Sequence, residues 1–140
     1  MSCRVTPFCA ALLALLAFAP TSGRAAWGSV GIVEQIQTFA TCAGRMMALR
    51  DHLALFGSSG VDRAESKREA HVSVLEALSE LADGAAPDGQ LVHQWRIEGR
   101  AAQGAVLSQS TFGTTQDARD RAARVSARHL SLCDRMILGT

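Results

Sequence analysis

The chain has 140 residues with 14 basic and 13 acidic side chains, so its formal net charge is only +1 at neutral pH. This near balance excludes a protein that binds polyanions through bulk positive charge, and nucleic acid is therefore not an expected partner. Tyrosine is absent, aromatic residues are few and alanine is abundant, a composition that favours helices over sheets. We accordingly expect a small all-α protein.

Residues 1–25 have the organisation of a secretory signal peptide. Arg4 supplies a short positive region, and the apolar run PFCAALLALLAFA follows it. That run is shorter than the roughly 20 apolar residues of a membrane-spanning helix. Small residues at Gly23 and Ala25 indicate cleavage after Ala25. We therefore expect a single mature domain, residues 26–140, without a transmembrane segment.

The expected location is the bacterial periplasm or the medium. Arginine accounts for 13 of the 14 basic residues, a bias typical of GC-rich bacterial genomes. Without Arg4 and Arg24, the mature chain would keep 12 basic residues against 13 acidic ones and carry a net charge of −1.

Capping signals divide the mature chain into four predicted helices. The segments are residues 29–56, 62–83, 87–113, and 114 or 115 to 138. Asp62, with Glu65 three residues later, has the spacing of a capping box at the start of the second helix. Short loops between four such helices predict an up-down-up-down antiparallel four-helix bundle.

Apolar residues at helical spacing predict which faces form the core. In the first helix they are Phe39, Cys42, Met46, Leu49, Leu53 and Phe56. In the second they are Val74, Leu75, Leu78 and Leu81. In the third they are Val92, Trp95, Gly99, Ala102 and Val106, and Gly99 would let a neighbouring backbone come close.

Two cysteines remain in the mature chain, Cys42 in the first helix and Cys133 in the fourth. An exported protein folds in an oxidising compartment, where an even number of cysteines indicates a disulfide. Placing the two opposite each other in an antiparallel pair also sets Phe39 opposite Met136 and Met46 opposite His129. The pattern predicts that one Cys42–Cys133 disulfide staples the bundle.

An alternative interpretation assigns a ligand role to Met46 and His129. These two residues could hold haem or copper in a small periplasmic bundle, and with reduced Cys42 and Cys133 they would form a soft set suited to Cu(I). The sequence has no closely spaced ligand motif, so we expect neither a metal site nor a cofactor. The other mature histidines, His52, His71 and His93, are predicted to lie at the surface or its boundary.

Charged residues follow one face of two helices. The fourth helix carries Arg121, Arg124, Arg128 and Arg135, and the second carries Glu65, Glu69, Glu76, Glu80 and Asp83. Charge runs at helical spacing are typical of solvated faces, and they can also guide docking. No catalytic constellation is evident. We expect a non-catalytic interaction or structural role, with an unknown protein partner or self-association.

Overall fold

The computed structural model describes residues 24–138, and within this range every regular element is helical. The helices are α1 (Arg24–Leu55), α2 (Val61–Leu81), α3 (Gly89–Phe112) and α4 (Gln116–Leu138), with a short 3₁₀ turn at Asp83–Ala85. The all-α prediction of four helices is therefore confirmed. Except for its last two residues, the predicted signal peptide lies outside the described residues. Of the helices described, none combines the length and apolar character needed to cross a bilayer.

Local chemistry accounts for the end of α1 and the start of α3. Gly57, at φ 60°, ends α1 with bonds from its own N–H to Ala54 and from Ser58 N–H to the Leu53 carbonyl, the pattern of a Schellman cap. Asp88 caps α3 by accepting a hydrogen bond from Gln90 N–H at 3.0 Å.

The predicted capping box at the start of α2 is wrong. The helix begins at Val61 after Gly60, which adopts φ 106° and provides no side-chain cap. The Glu65 carboxylate instead binds the guanidinium groups of Arg68 and Arg50. Hydrogen bonds from Arg68, and then from Arg50, lower the pKa of Glu65 to about 2. Bonds between two ionised groups outcompete a backbone N–H for this carboxylate.

α1 is the central helix of the fold. It packs against all three other helices, most extensively against α3 and α2, and α3 packs against α4. Buried residues therefore cover more than one face of α1 and include Ile36, Phe39, Ala40, Cys42, Ala43, Met46 and Ala48. The single stripe predicted for this helix was too narrow, and its last member, Phe56, is 46% exposed.

α3 is rotated relative to the prediction. Val92 and Gly99 are buried as expected, whereas Ala102 is exposed and its neighbour Gln103 is completely buried. The reason is that α3 packs on α1 through one face and on α4 through another. Gln103 lies between these two faces and is therefore buried. Gln103 meets the burial requirement by donating a hydrogen bond to Ser126 of α4 at 2.8 Å.

Candidate functional site

The centre of the fold brings together two cysteines and one histidine from three helices. Cys42 of α1, His71 of α2 and Cys133 of α4 are almost completely buried, with at most 1% of each residue exposed. The two sulfur atoms and one ring nitrogen of His71 all lie within 4.8 Å of one another. The two cysteines are at disulfide distance, with Cα atoms 5.5 Å apart, which is typical of such bonds. We call these three residues the Cys–His cluster.

His71 is the residue of this cluster for which the prediction was wrong. It was predicted at the surface or boundary, yet it has no exposed area, and its ring lies 5.6 Å from that of Phe39. Neither ring nitrogen has a hydrogen-bond partner among the described residues. Burial lowers the pKa of His71 to about 4, while Asp134 raises it and Lys67 lowers it by smaller amounts. The imidazole is therefore neutral at pH 7.

Arg45 places a positive charge beside the cluster. Its Nη1 lies 4.0 Å from the Cys133 sulfur, and its Nε is buried without a hydrogen-bond partner in the described part of the chain. Burial lowers the pKa of this guanidinium from its ordinary value. A half-buried cation thus lies beside the Cys133 sulfur. This sulfur is uncharged in a disulfide, whereas the guanidinium would stabilise an anionic thiolate sulfur.

Met46 and His129, the alternative ligand pair, lie in different surroundings. Met46 is fully buried and packs in the same cluster of side chains as Cys42 and Cys133. His129 instead has its Nδ1 3.2 Å from the Oε1 of buried Gln103. Burial, followed by the charges of Arg45 and Arg128, lowers the pKa of His129. The histidine that the fold brings to the cysteines is therefore His71.

An apolar groove between α1 and α3 is a second candidate site, with a volume of about 470 Å³. Its lining combines small residues with large, solvent-exposed ones. The large ones are Leu55, Ile97 and Phe112, which are 75%, 53% and 66% exposed. The Asp51–Arg100 ion pair, 2.7 Å between its charged atoms, also lines it. We call this feature the α1–α3 groove. Ile97 and Phe112 are large apolar residues outside the predicted core stripe of α3. That position is the sequence signal for their exposure in a groove.

The charged faces behave largely as solvated surfaces. Arg121, Arg124, Arg128 and Arg135 of α4 are all exposed, as are Glu69, Glu76, Glu80 and Asp83. Glu65 is the exception, because its ion pair with Arg50 holds it against α1 and a second ion pair joins it to Arg68 on its own helix.

Comparison with known proteins supplies no relative from which a function could be transferred. The chain matches no protein-family model, no curated protein and no solved structure. Its function must therefore be inferred from the Cys–His cluster and the α1–α3 groove.

Burial of His71 leads to a prediction for stability against pH. The folded pKa of about 4 lies below the ordinary value of 6.5, so the unfolded chain takes up a proton that the folded state resists. Stability is therefore full above pH 6.5 and falls as the pH drops toward 4. The expected loss is about 3 kcal/mol, since each tenfold change in proton affinity corresponds to about 1.4 kcal/mol.

Urea unfolding between pH 7.5 and 4 measures this loss. His71→Leu should make the profile between pH 6.5 and 4 less steep and leave the contribution of His129, whose pKa is also lowered. His93→Leu, at an exposed position of α3, should leave the profile as in the wild type. Profiles of equal steepness in wild type and His71→Leu would contradict the assignment.

Proposed function

We propose that the protein is an exported, non-catalytic interaction protein that binds an amphipathic helix of a partner protein in the α1–α3 groove. The observation that carries this proposal is the exposure of Leu55, Ile97 and Phe112 around one groove. Contiguous apolar surface of this kind marks interaction sites in soluble proteins.

The lining of the groove favours a helix as its occupant. Ile97 and Phe112 are 15 residues apart on α3, so the groove extends for about 22 Å, or four helical turns. Ala48, Ala101 and Gly104 contribute little side-chain volume and leave room for an incoming helix. Asp51 and Arg100 offer one charge of each sign to the polar edge of such a helix. These features match recognition of a helix through its apolar face.

An up-down-up-down order of helices is part of the proposal, because it explains the groove. Pairs such as Phe39–His71 and Arg50–Glu65 support antiparallel α1 and α2. Contacts of Gly44 with Arg96 and of Phe56 with Phe112 support parallel α1 and α3. Two parallel helices in direct contact form a groove on each side of their line of contact.

Export to the bacterial periplasm or the medium completes the proposal. Its support is the apolar leader sequence together with a buried cysteine pair at disulfide distance. Disulfides persist in oxidising compartments and are rare in the cytosol.

Two leucines of equal exposure provide a matched test of the groove. Leu55 lines it and Leu81 lies at the end of α2, and each is 75% exposed. The probe is a labelled model peptide of roughly 18 residues that forms an amphipathic helix with leucine on one face. In fluorescence anisotropy, Leu55→Glu should weaken its binding at least about tenfold, since anchors of an interface contribute most of its energy. Leu81→Glu should bind like the wild type.

Two results would contradict the proposal. Equal binding by the two variants, or no binding by the wild type, would remove the groove as a helix site. Sedimentation of the protein alone tests a different occupant of the groove. A dimer that Leu55→Glu dissociates and Leu81→Glu preserves would make a second copy of this chain the occupant.

Binding of copper or haem is the second candidate function. It was the alternative interpretation of Met46 and His129, and the packing of Met46 in one side-chain cluster with the cysteines favours copper over haem. His71, rather than His129, is the imidazole nearest the sulfur atoms.

A further inference from the structure

We propose that the Cys–His cluster binds one Cu(I) ion when the Cys42–Cys133 disulfide is reduced. The ligands are the two cysteine thiolates and one ring nitrogen of His71. This site is independent of the α1–α3 groove, so either proposal can fail without the other.

The positions of the donor atoms meet the first requirement of such a site. Metal–sulfur and metal–nitrogen bonds to proteins are about 2.0 to 2.3 Å long, so ligands around one ion lie roughly 3.5 to 4 Å apart. The two sulfur atoms and one His71 nitrogen are already within 4.8 Å of one another. Separation of the two sulfur atoms upon reduction and a small approach of the imidazole would complete the geometry.

His71 itself points to a ligand. A completely buried imidazole without a hydrogen-bond partner is unfavourable, because its polar atoms have lost water and gained nothing in return. Coordination of Cu(I) would give one of the two His71 ring nitrogens a partner. Asp134, the neighbour of Cys133, could serve the other, since its Oδ1 is buried and also unpartnered among the described residues. Metal-bound histidines commonly donate their second N–H to a carboxylate.

The charge of Arg45 matches the reduced, metal-bound state. Two thiolates and one Cu(I) carry a net charge of −1, whereas the disulfide is neutral. The Arg45 guanidinium, 4.0 Å from the Cys133 sulfur, would neutralise this anion and favour loss of the thiol protons. His71 and Arg45, which both lie beside these sulfur atoms, therefore each keep a buried nitrogen without a hydrogen-bond partner among the described residues.

The kind of donor selects the metal. Thiolate and thioether sulfur favour Cu(I), and the fully buried Met46 packs in the same side-chain cluster as the two cysteines. Zn(II) in structural sites is almost always held by four protein ligands, whereas this buried set supplies three.

Reduction and metal binding are separate steps. A dithiol reductant transfers two electrons and two protons to the disulfide, which yields two cysteine thiols while the reductant becomes a disulfide. Cu(I), supplied as a cuprous complex, then replaces the two thiol protons, which are released to solvent. The disulfide thus acts as a gate, because the oxidised protein has no thiolate to offer.

Anaerobic titration of the phosphine-reduced protein with Cu(I)–bicinchoninate tests the proposal. We expect transfer of one Cu(I) per chain, and no transfer to the oxidised protein. X-ray absorption of the loaded wild type should show sulfur scatterers together with one nitrogen. His71→Leu should lower the affinity at least about 100-fold and remove the nitrogen. Arg45→Leu should lower it about 10-fold, within the range for groups next to metal ligands.

His129→Leu is the matched control and should bind Cu(I) like the wild type. The proposal is overturned if the wild type takes no copper, if oxidised protein binds equally well, or if His129→Leu loses binding while His71→Leu keeps it. Displacement of Cu(I) by equimolar Zn(II) would overturn the choice of metal. The spectrum of the wild type decides the nitrogen ligand even where a variant fails to fold.

Discussion

Replacing both buried cysteines, as Cys42→Ala with Cys133→Ala, should lower the free energy of unfolding by about 4 kcal/mol. The pair is separated by 91 residues, so its disulfide would close most of the described chain into one loop. Without the disulfide, the unfolded chain regains the conformational freedom that loop closure removes. For a domain of this size, the thermal midpoint should fall by roughly 10 to 20 °C.

Calorimetry with and without a phosphine reductant, in metal-free buffer, separates the disulfide from simple packing. Reduction should lower the midpoint of the wild type and leave that of the double variant unchanged. Met46→Leu in the same side-chain cluster should cost less than about 1.5 kcal/mol, because leucine keeps a similar volume. A wild-type midpoint that stays constant while both thiols become alkylated would contradict a stabilising disulfide.

The helix boundaries were largely predictable, because the signals for helix ends are local. Gly57 ends α1 through its left-handed conformation, and Asp88 caps α3 through its own side chain. Thr115 likewise accepts a hydrogen bond from Ala118 N–H at the start of α4. Each signal acts within a few residues and can be read without knowing the rest of the fold. Glu65 shows the limit, since its partner Arg50 belongs to another helix.

The Cys–His cluster was only half predictable. The cysteine pairing follows from the count of cysteines and the expected oxidising compartment. His71 belongs to no closely spaced ligand pattern, because the cluster takes one residue from each of three helices. A signal was present, since His71 precedes Leu75 and Leu78 by four and seven residues and therefore shares their apolar face.

The central position of α1 was not predictable from its stripe of large side chains. A stripe with a 3–4 spacing predicts one buried seam, and Ala40, Ala43 and Ala48 lie outside that stripe. These alanines are buried because α2, α3 and α4 all contact α1. Alanines in α1 indicate burial only when they are considered together with the glycines that bring α1 and α3 into contact.

Substituting alanine at the contact of α1 with α3 should destabilise the fold severely. A Cβ at Gly44 would clash with the carbonyl oxygen of Arg96, and one at Gly99 would clash with that of Thr41. Both obstacles are backbone atoms, which cannot move aside as a flexible side chain could. We expect Gly44→Ala and Gly99→Ala each to lower the free energy of unfolding by about 3 kcal/mol, at the upper end of typical overpacking.

Gly104→Ala provides the control within the same helix. A Cβ at this position meets nothing within 4 Å, so only the helix preference of alanine should act. That preference should stabilise α3 by up to about 1 kcal/mol. Urea unfolding of the three variants measures the expected losses and the expected gain in stability in one experiment. If Gly99→Ala stabilised the protein as Gly104→Ala is expected to, α1 and α3 would not be in backbone contact. The groove that these two helices form would then lose its geometric basis.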